Sequence, residues 1–331
     1  MRSVFIGEAM LELSREGENW QLGYGGDTLN MAIHMARAGH DAAYLTAIGR
    51  DAMSADLKDE WAAEGLDTSL VLEHPARSTG LYAISTDDKG ERSFTYWRDT
   101  SAAREMFALP GMANALKLAE QADLLAFSLI TLAILPQAAR DALLALCQRV
   151  RARGGKVAFD GNYRPRLWAS VEEARAARDA AIACADIGLP TLEDELLMQS
   201  SPSLLGEGDH AQHGGGVPSQ VRAEAGPPPS RASHAPPPRS GEDLVAQHWQ
   251  NLGCSETIVK LGARGARLPG GTVIPPPEVL QPVDTSGAGD AMGGGYLSAR
   301  MNGASVEDAV MAGHRLAGWC VMRRGAIPRR G

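Results

Sequence analysis

Toward the C-terminal end, Asp284-Thr-Ser-Gly-Ala-Gly-Asp290 sets small residues between two acids, and a helical pattern from Ala291 to Met301 follows. The spacing predicts a helix start at the Gly-Ala-Gly turn. A helix N-terminus leaves backbone N–H groups unpaired and carries a partial positive charge, and glycines allow close approach to the backbone. A phosphate group fits such a turn. Asp290, aimed at the same place, can accept the proton of a hydroxyl attacking a phosphoryl group. Asp284 and Asp290 also suit a helix start for capping reasons alone, and on the residues by themselves the two readings stand level. A dinucleotide fingerprint fails, because Met292 stands where its third glycine belongs.

These residues need elements to hold them. Short β-branched runs at Leu124 to Ser128, Val157 to Phe159 and Ile258 to Lys260 alternate with helical patterns at Pro136 to Arg151 and Val171 to Ala183. The alternation predicts an α/β fold with a doubly wound, mainly parallel sheet flanked by helices. Leu11 to Leu13, Leu81 to Ile84 and Ser93 to Tyr96 follow a different, alternating or aromatic pattern. They are expected to form a small β-sheet lid, drawn from about 8–24 and 80–100, over a site in one domain spanning 1–331. The stretch 201–241 carries GGG and PPP runs with almost nothing apolar to bury, and reads as a disordered insertion.

The net charge of −8 argues against a nucleic-acid or anionic-membrane binder. Met1 to Gly7 reads as a strand without the features of a signal peptide, and no apolar run is long enough to cross a membrane, so the expected location is cytoplasmic. The four cysteines are far apart, with no metal-ligand spacing, and read as buried free thiols.

Asp284 to Asp290 resembles the D-T-x-G-A-G-D signature of the ribokinase-like, or PfkB-type, carbohydrate kinases. Gly25-Gly26-Asp-Thr-Leu-Asn30 is similar to the glycine pair by which that family opens a helix near the sugar. Phe159-Asp-Gly-Asn-Tyr-Arg-Pro-Arg-Leu-Trp168, Tyr96-Trp-Arg98 and Gly7-Glu-Ala-Met-Leu-Glu-Leu13 resemble the 2-dehydro-3-deoxygluconate kinases within it. The resemblance implies ATP-dependent phosphorylation of that sugar acid at its terminal hydroxyl, with Mg2+, and a possible homo-oligomer formed through the lid. It assigns sugar contact to Gly26, Asn30, Tyr82, Tyr96, Arg98 and Arg164, the two arginines as readers of the carboxylate and hydroxyls. Asp290 becomes the base, with Gly287, Ala288 and Gly289 as the anion hole. Nucleotide contact falls to Asn162, Thr191, Lys260, Gly262, Gly265, Gly287, Gly289 and His314. The metal ligands stay open, because Thr191-Leu-Glu-Asp194 departs from the family's N-x-x-E pattern while keeping an acid at Asp194. Gly161 departs too, and a looser turn before Asn162 is expected from it. A kinase of fructose or ribose, or a sensor that binds a sugar acid without turnover, is the alternative.

Overall fold

The computed structural model describes residues 1–16, 19–86, 92–200 and 240–329. The expected insertion lies outside the described residues apart from Ser240 and Gly241, which begin the helix Gly241–Asn251.

Seven strands make one parallel sheet, in the order Glu256–Thr257, Ile187–Gly188, Lys156–Asp160, Leu124–Ser128, Arg2–Ile6, Asp41–Ile48 and Val71–Glu73. The doubly wound architecture expected from the alternation is present. Neighbouring residues of one strand enter opposite layers: Val4 and Ile6 pack into one apolar cluster and Phe5 into another, and Phe127 and Ala126 divide likewise. Burial on both faces is why these strands read as continuous apolar runs. Helices Asp27–Arg37, Ala288–Met301 and Val306–Val321 contribute to one layer, and Gln137–Ala152 and Val171–Cys184 to the other. Helix starts are fixed locally, as where Ser170 accepts from Glu173 N and Ser305 from Asp308 N.

The run expected as a strand of the large sheet over Ile258 to Lys260 lies just beyond that sheet's edge strand and joins another sheet. Glu256–Thr257 belongs to the large sheet, while Val259–Lys260 pairs antiparallel with Ala266–Arg267 in a three-stranded sheet completed by Val273–Ile274. The neighbouring chain explains the handover. After Gly188 it reaches Pro190, which has no N–H to continue a ladder and only accepts, from Lys260 N at 2.8 Å.

Four further strands form a separate sheet, in the order Asn19–Gly25, Met10–Glu16, Gly80–Thr86 and Arg92–Trp97. Its inner pair is parallel and both outer pairs are antiparallel. Cys147, Cys184, Cys254 and Cys320 are free and buried. Among the described residues no helix is long and apolar enough to cross a membrane.

Candidate active site

The carboxyl ends of the central strands, where open α/β sheets place their ligands, carry an unusual density of charge. Arg2–Ile6 runs out into Glu8, Lys156–Asp160 ends on Asp160, and two helices, Asp27–Arg37 and Ala288–Met301, start close by.

The second helix begins as its sequence predicts. Gly287 is the N-cap residue in the left-handed region, with φ of 67°, and a Cβ there would come within 2.7 Å of Ala326. Only glycine fits that turn. Asp284 braces the turn, its carboxylate accepting from Ser286 N at 2.8 Å and from Gly325 N at 2.7 Å. Asp290, in the first helical turn, is left for chemistry. Its Oδ2 accepts from Asn30 Nδ2 at 2.7 Å, so two residues 260 positions apart and expected at one site do meet. Burial pushes the Asp290 carboxyl up to about 7, and the charge of Asp27 adds to the rise.

Gly26 precedes the first helix, close enough to the Glu8 carbonyl that a Cβ would collide with it. Asp27 accepts from Thr28 N and, at 3.0 Å, from Asn162 Nδ2. Asn162, expected with the nucleotide, is thereby tied to the helix that carries Asn30.

On the lid, Glu12, Tyr82 and Tyr96 stand side by side across three strands. The Tyr82 hydroxyl donates to Glu12, and its ring lies 6.0 Å from that of Tyr96. Tyr96 is half exposed, beneath the guanidinium of Arg98 at 5.9 Å. Arg98 is buried and paired with Glu8, which also accepts from Ser101. Two buried atoms here have no partner among the described residues, Arg98 Nε and Asn30 Oδ1. A donor and an acceptor held dry without partners cost stability, and both are supplied by a ligand carrying an anionic oxygen and a hydroxyl. Arg164 stands apart, exposed, with Nη1 donating to Tyr163 O and lying 3.6 Å from Asp194.

The expected nucleotide residues largely converge. Lys260, Gly262, Gly265, Gly289 and His314 line a cavity of about 640 Å³, together with Ala288 of the anion hole, walled by Pro275, Pro276, Pro277, Val279, Leu280 and Trp319. His314 donates from Nε2 to Ile274 O at 3.0 Å, and burial lowers its pKa, so a neutral ring braces the wall. Asn162, Thr191 and Gly287 lie outside that lining; Thr191 pairs with Lys260 through an isolated parallel β-bridge. At Gly161 a Cβ would come 3.0 Å from the Trp249 indole, so the missing side chain is the space that Trp249 fills.

Among the described residues no cluster of three His, Cys, Asp or Glu side chains forms a metal cage. Magnesium in kinases is held by one or two carboxylates plus the substrate phosphates and keeps several waters. Asp194 fits that pattern: it is partly buried, raised in pKa by burial, and engaged among the described residues by Tyr163 N at 3.3 Å and the more distant Arg164.

Glu8, Glu12, Asp27 and Asp160 were not singled out by sequence reasoning. Glu8 and Asp27 follow a glycine, Asp160 closes a strand and Glu12 lies within the strand Met10–Glu16, but the partner of each lies far away in the chain.

A kinase site of this construction has relatives. The chain is 37% identical to the 2-dehydro-3-deoxygluconokinase of Dickeya dadantii, over 98% of this chain and 96% of that one. It is 38% identical to the 2-dehydro-3-deoxygluconokinase of Escherichia coli K12, over 97% and 95%. The crystal structure of a PfkB protein from Polaromonas sp. JS666 superposes with a TM-score of 0.75 at 25% identity, covering 97% of this chain and 96% of that one. Residues 2–215 and 232–329 match the family described as pfkB family carbohydrate kinase. With its signature turn, its paired sheets and nearly its full length accounted for, the chain belongs to the pfkB family of carbohydrate kinases.

Proposed function

We propose that the protein transfers the γ-phosphoryl group of ATP to the terminal hydroxyl of 2-dehydro-3-deoxy-D-gluconate, giving the 6-phosphate. The observation that carries this reading is near-full-length identity to two kinases named for that sugar acid. The geometry supports it. Asp290 takes the hydroxyl proton as the oxygen attacks in line, and the turn at Gly287, Ala288 and Gly289 receives the phosphoryl oxygens on backbone N–H groups. Asn30 offers Oδ1 to a sugar hydroxyl, and Arg98 offers Nε to the sugar carboxylate. Gly26 leaves room beside them, while Tyr82 and Tyr96 roof the sugar and keep water from competing as acceptor. Arg164 reaches the ligand only by swinging in from its exposed position. Bound Mg2+, held by the phosphates and Asp194, would offset phosphate charge.

The bare Trp20, Leu22 and Trp97, on the face of the small sheet opposite Tyr82 and Tyr96, support self-association through that sheet. The test of function is ADP release with magnesium and ATP. Release is expected with 2-dehydro-3-deoxygluconate and not with fructose, ribose or gluconate; release with a neutral sugar alone would discard the sugar-acid assignment, and binding of the sugar acid without release would make the protein a sensor.

A further inference from the structure

Lys260 and Asp160 form a buried ion pair in the cleft. Nζ lies 2.9 Å from each carboxylate oxygen, and the residues are 8% and 1% exposed. As a source of stability such a pair is poor, because stripping water from both charges offsets most of their attraction. Its position points to another use. The ammonium lies against the first turn of Ala288–Met301: a Cβ on Gly289 would be 3.6 Å from Nζ. Lys260 also lines the nucleotide cavity. It therefore stands where the cavity meets the phosphate-binding turn.

The local charge balance makes the same case. Asp27 and Asp160 both act on Asp290 as negative charges, and Lys260 acts on it as a positive one. A transferring phosphoryl group brings further negative charge to this spot and requires a cation fixed in advance. An ammonium has three N–H donors. Two of them are directed at the oxygens of Asp160, and the third remains for a phosphoryl oxygen.

We infer that Lys260 is a catalytic residue whose ammonium contacts the γ-phosphoryl group during transfer, and that Asp160 is the positioning residue that aims it. In the step, the sugar oxygen forms its bond to Pγ while the bond from Pγ to the bridging oxygen breaks, leaving its electron pair on ADP. The hydroxyl proton goes to Asp290, and Lys260 keeps all its protons throughout.

The inference rests on the kinase reading, so its test has an arm that needs no sugar. In the full-length chain, ADP and a β,γ-imido ATP analogue are titrated by calorimetry into wild type, Lys260→Met and the double variant Asp160→Asn/Lys260→Met. Both variants are expected to bind the analogue about 10- to 100-fold more weakly, as for loss of a charge-assisted hydrogen bond, with ADP affinity changed less than about threefold on the same grounds. Turnover should fall at least about 100-fold in both. The double variant, which removes the buried charges together, should melt close to wild type and stay inactive. Recovery of turnover in the double variant, or equal weakening of ADP and the analogue, would show a merely structural pair. Should Lys260→Met fail to fold, the double variant carries the test by itself. Failure of wild type to phosphorylate the sugar acid would remove the substrate assignment and leave the nucleotide arm to decide on Lys260.

Discussion

The cavity proposed for the nucleotide is walled by Pro275, Pro276, Pro277, Val279, Leu280 and Trp319, whereas the side proposed for the sugar holds Glu8, Glu12, Asp27, Asn30, Arg98 and Asp290, tied in pairs to the small sheet or the core. An apolar wall discriminates weakly between ligands of similar shape. A wall of dry hydrogen-bonding groups discriminates strongly, because a ligand lacking one polar atom leaves a buried partner unpaired. Selectivity should therefore be steep for the sugar and shallow for the base of the nucleotide.

Removing the most strongly perturbed group of the polar side gives the largest effect. Asp290→Asn should lower kcat by about 10³-fold with both substrates still bound. In wild type, kcat/KM should fall tenfold per unit as pH drops below about 7, where Asp290 takes up its proton. Stability has the opposite sign. A carboxyl whose pKa is raised by folding supports the fold fully below its unfolded value near 4 and loses that support as pH rises through about 7. Asp290→Asn should thus melt above wild type at pH 8 and level with it at pH 4, read by calorimetry. A pH profile flat from 5 to 8 would remove Asp290 from the base role.

Next in size is the fork of Arg98. Arg98→Lys keeps the charge but loses the planar donors, and should cut kcat/KM for the sugar acid by about 10- to 100-fold while leaving KM for ATP unchanged. An equal loss on both substrates would mean that the change disturbs the whole cleft and not one wall of it.

The smallest effect belongs to the apolar wall. Replacing ATP with GTP should change kcat/KM by no more than about tenfold, against about 10³-fold or more between the sugar acid and fructose. A reversed order would overturn the contrast between the two sides.

The glycine turn that starts the helix Ala288–Met301 was readable in the sequence because its logic is local: Gly287, Asp290 and the helix after them are neighbours in the chain. So were the large sheet and the strands of the small one, whose patterns record which faces are buried. The ionic partners were not. Nothing in Gly7-Glu8 announces Arg98, 90 residues on, and nothing near Asp160 announces Lys260, 100 residues on. Those pairings arise only when the sheet brings strand ends together. The handover after Thr257 was hidden for a related reason, since it depends on Pro190, which follows the neighbouring strand Ile187–Gly188.

The small sheet has a consequence for how the molecule assembles. Its inner pairing, Met10–Glu16 with Gly80–Thr86, joins residues such as Glu12 and Tyr82 that are 70 apart, across a loop containing the helix Asp27–Arg37 and the strand Asp41–Ile48. Closing that loop costs chain entropy until the intervening helix and strand have docked on the large sheet and shortened it. The small sheet also buries only the cluster Met10, Tyr82 and Ile84 of its own and leaves Trp20, Leu22, Phe94 and Trp97 exposed, so it is expected to open by local unfolding ahead of the large sheet. Its amides should exchange with solvent ahead of those of Arg2–Ile6 and Leu124–Ser128, so the sugar pocket assembles only on a base that has already folded.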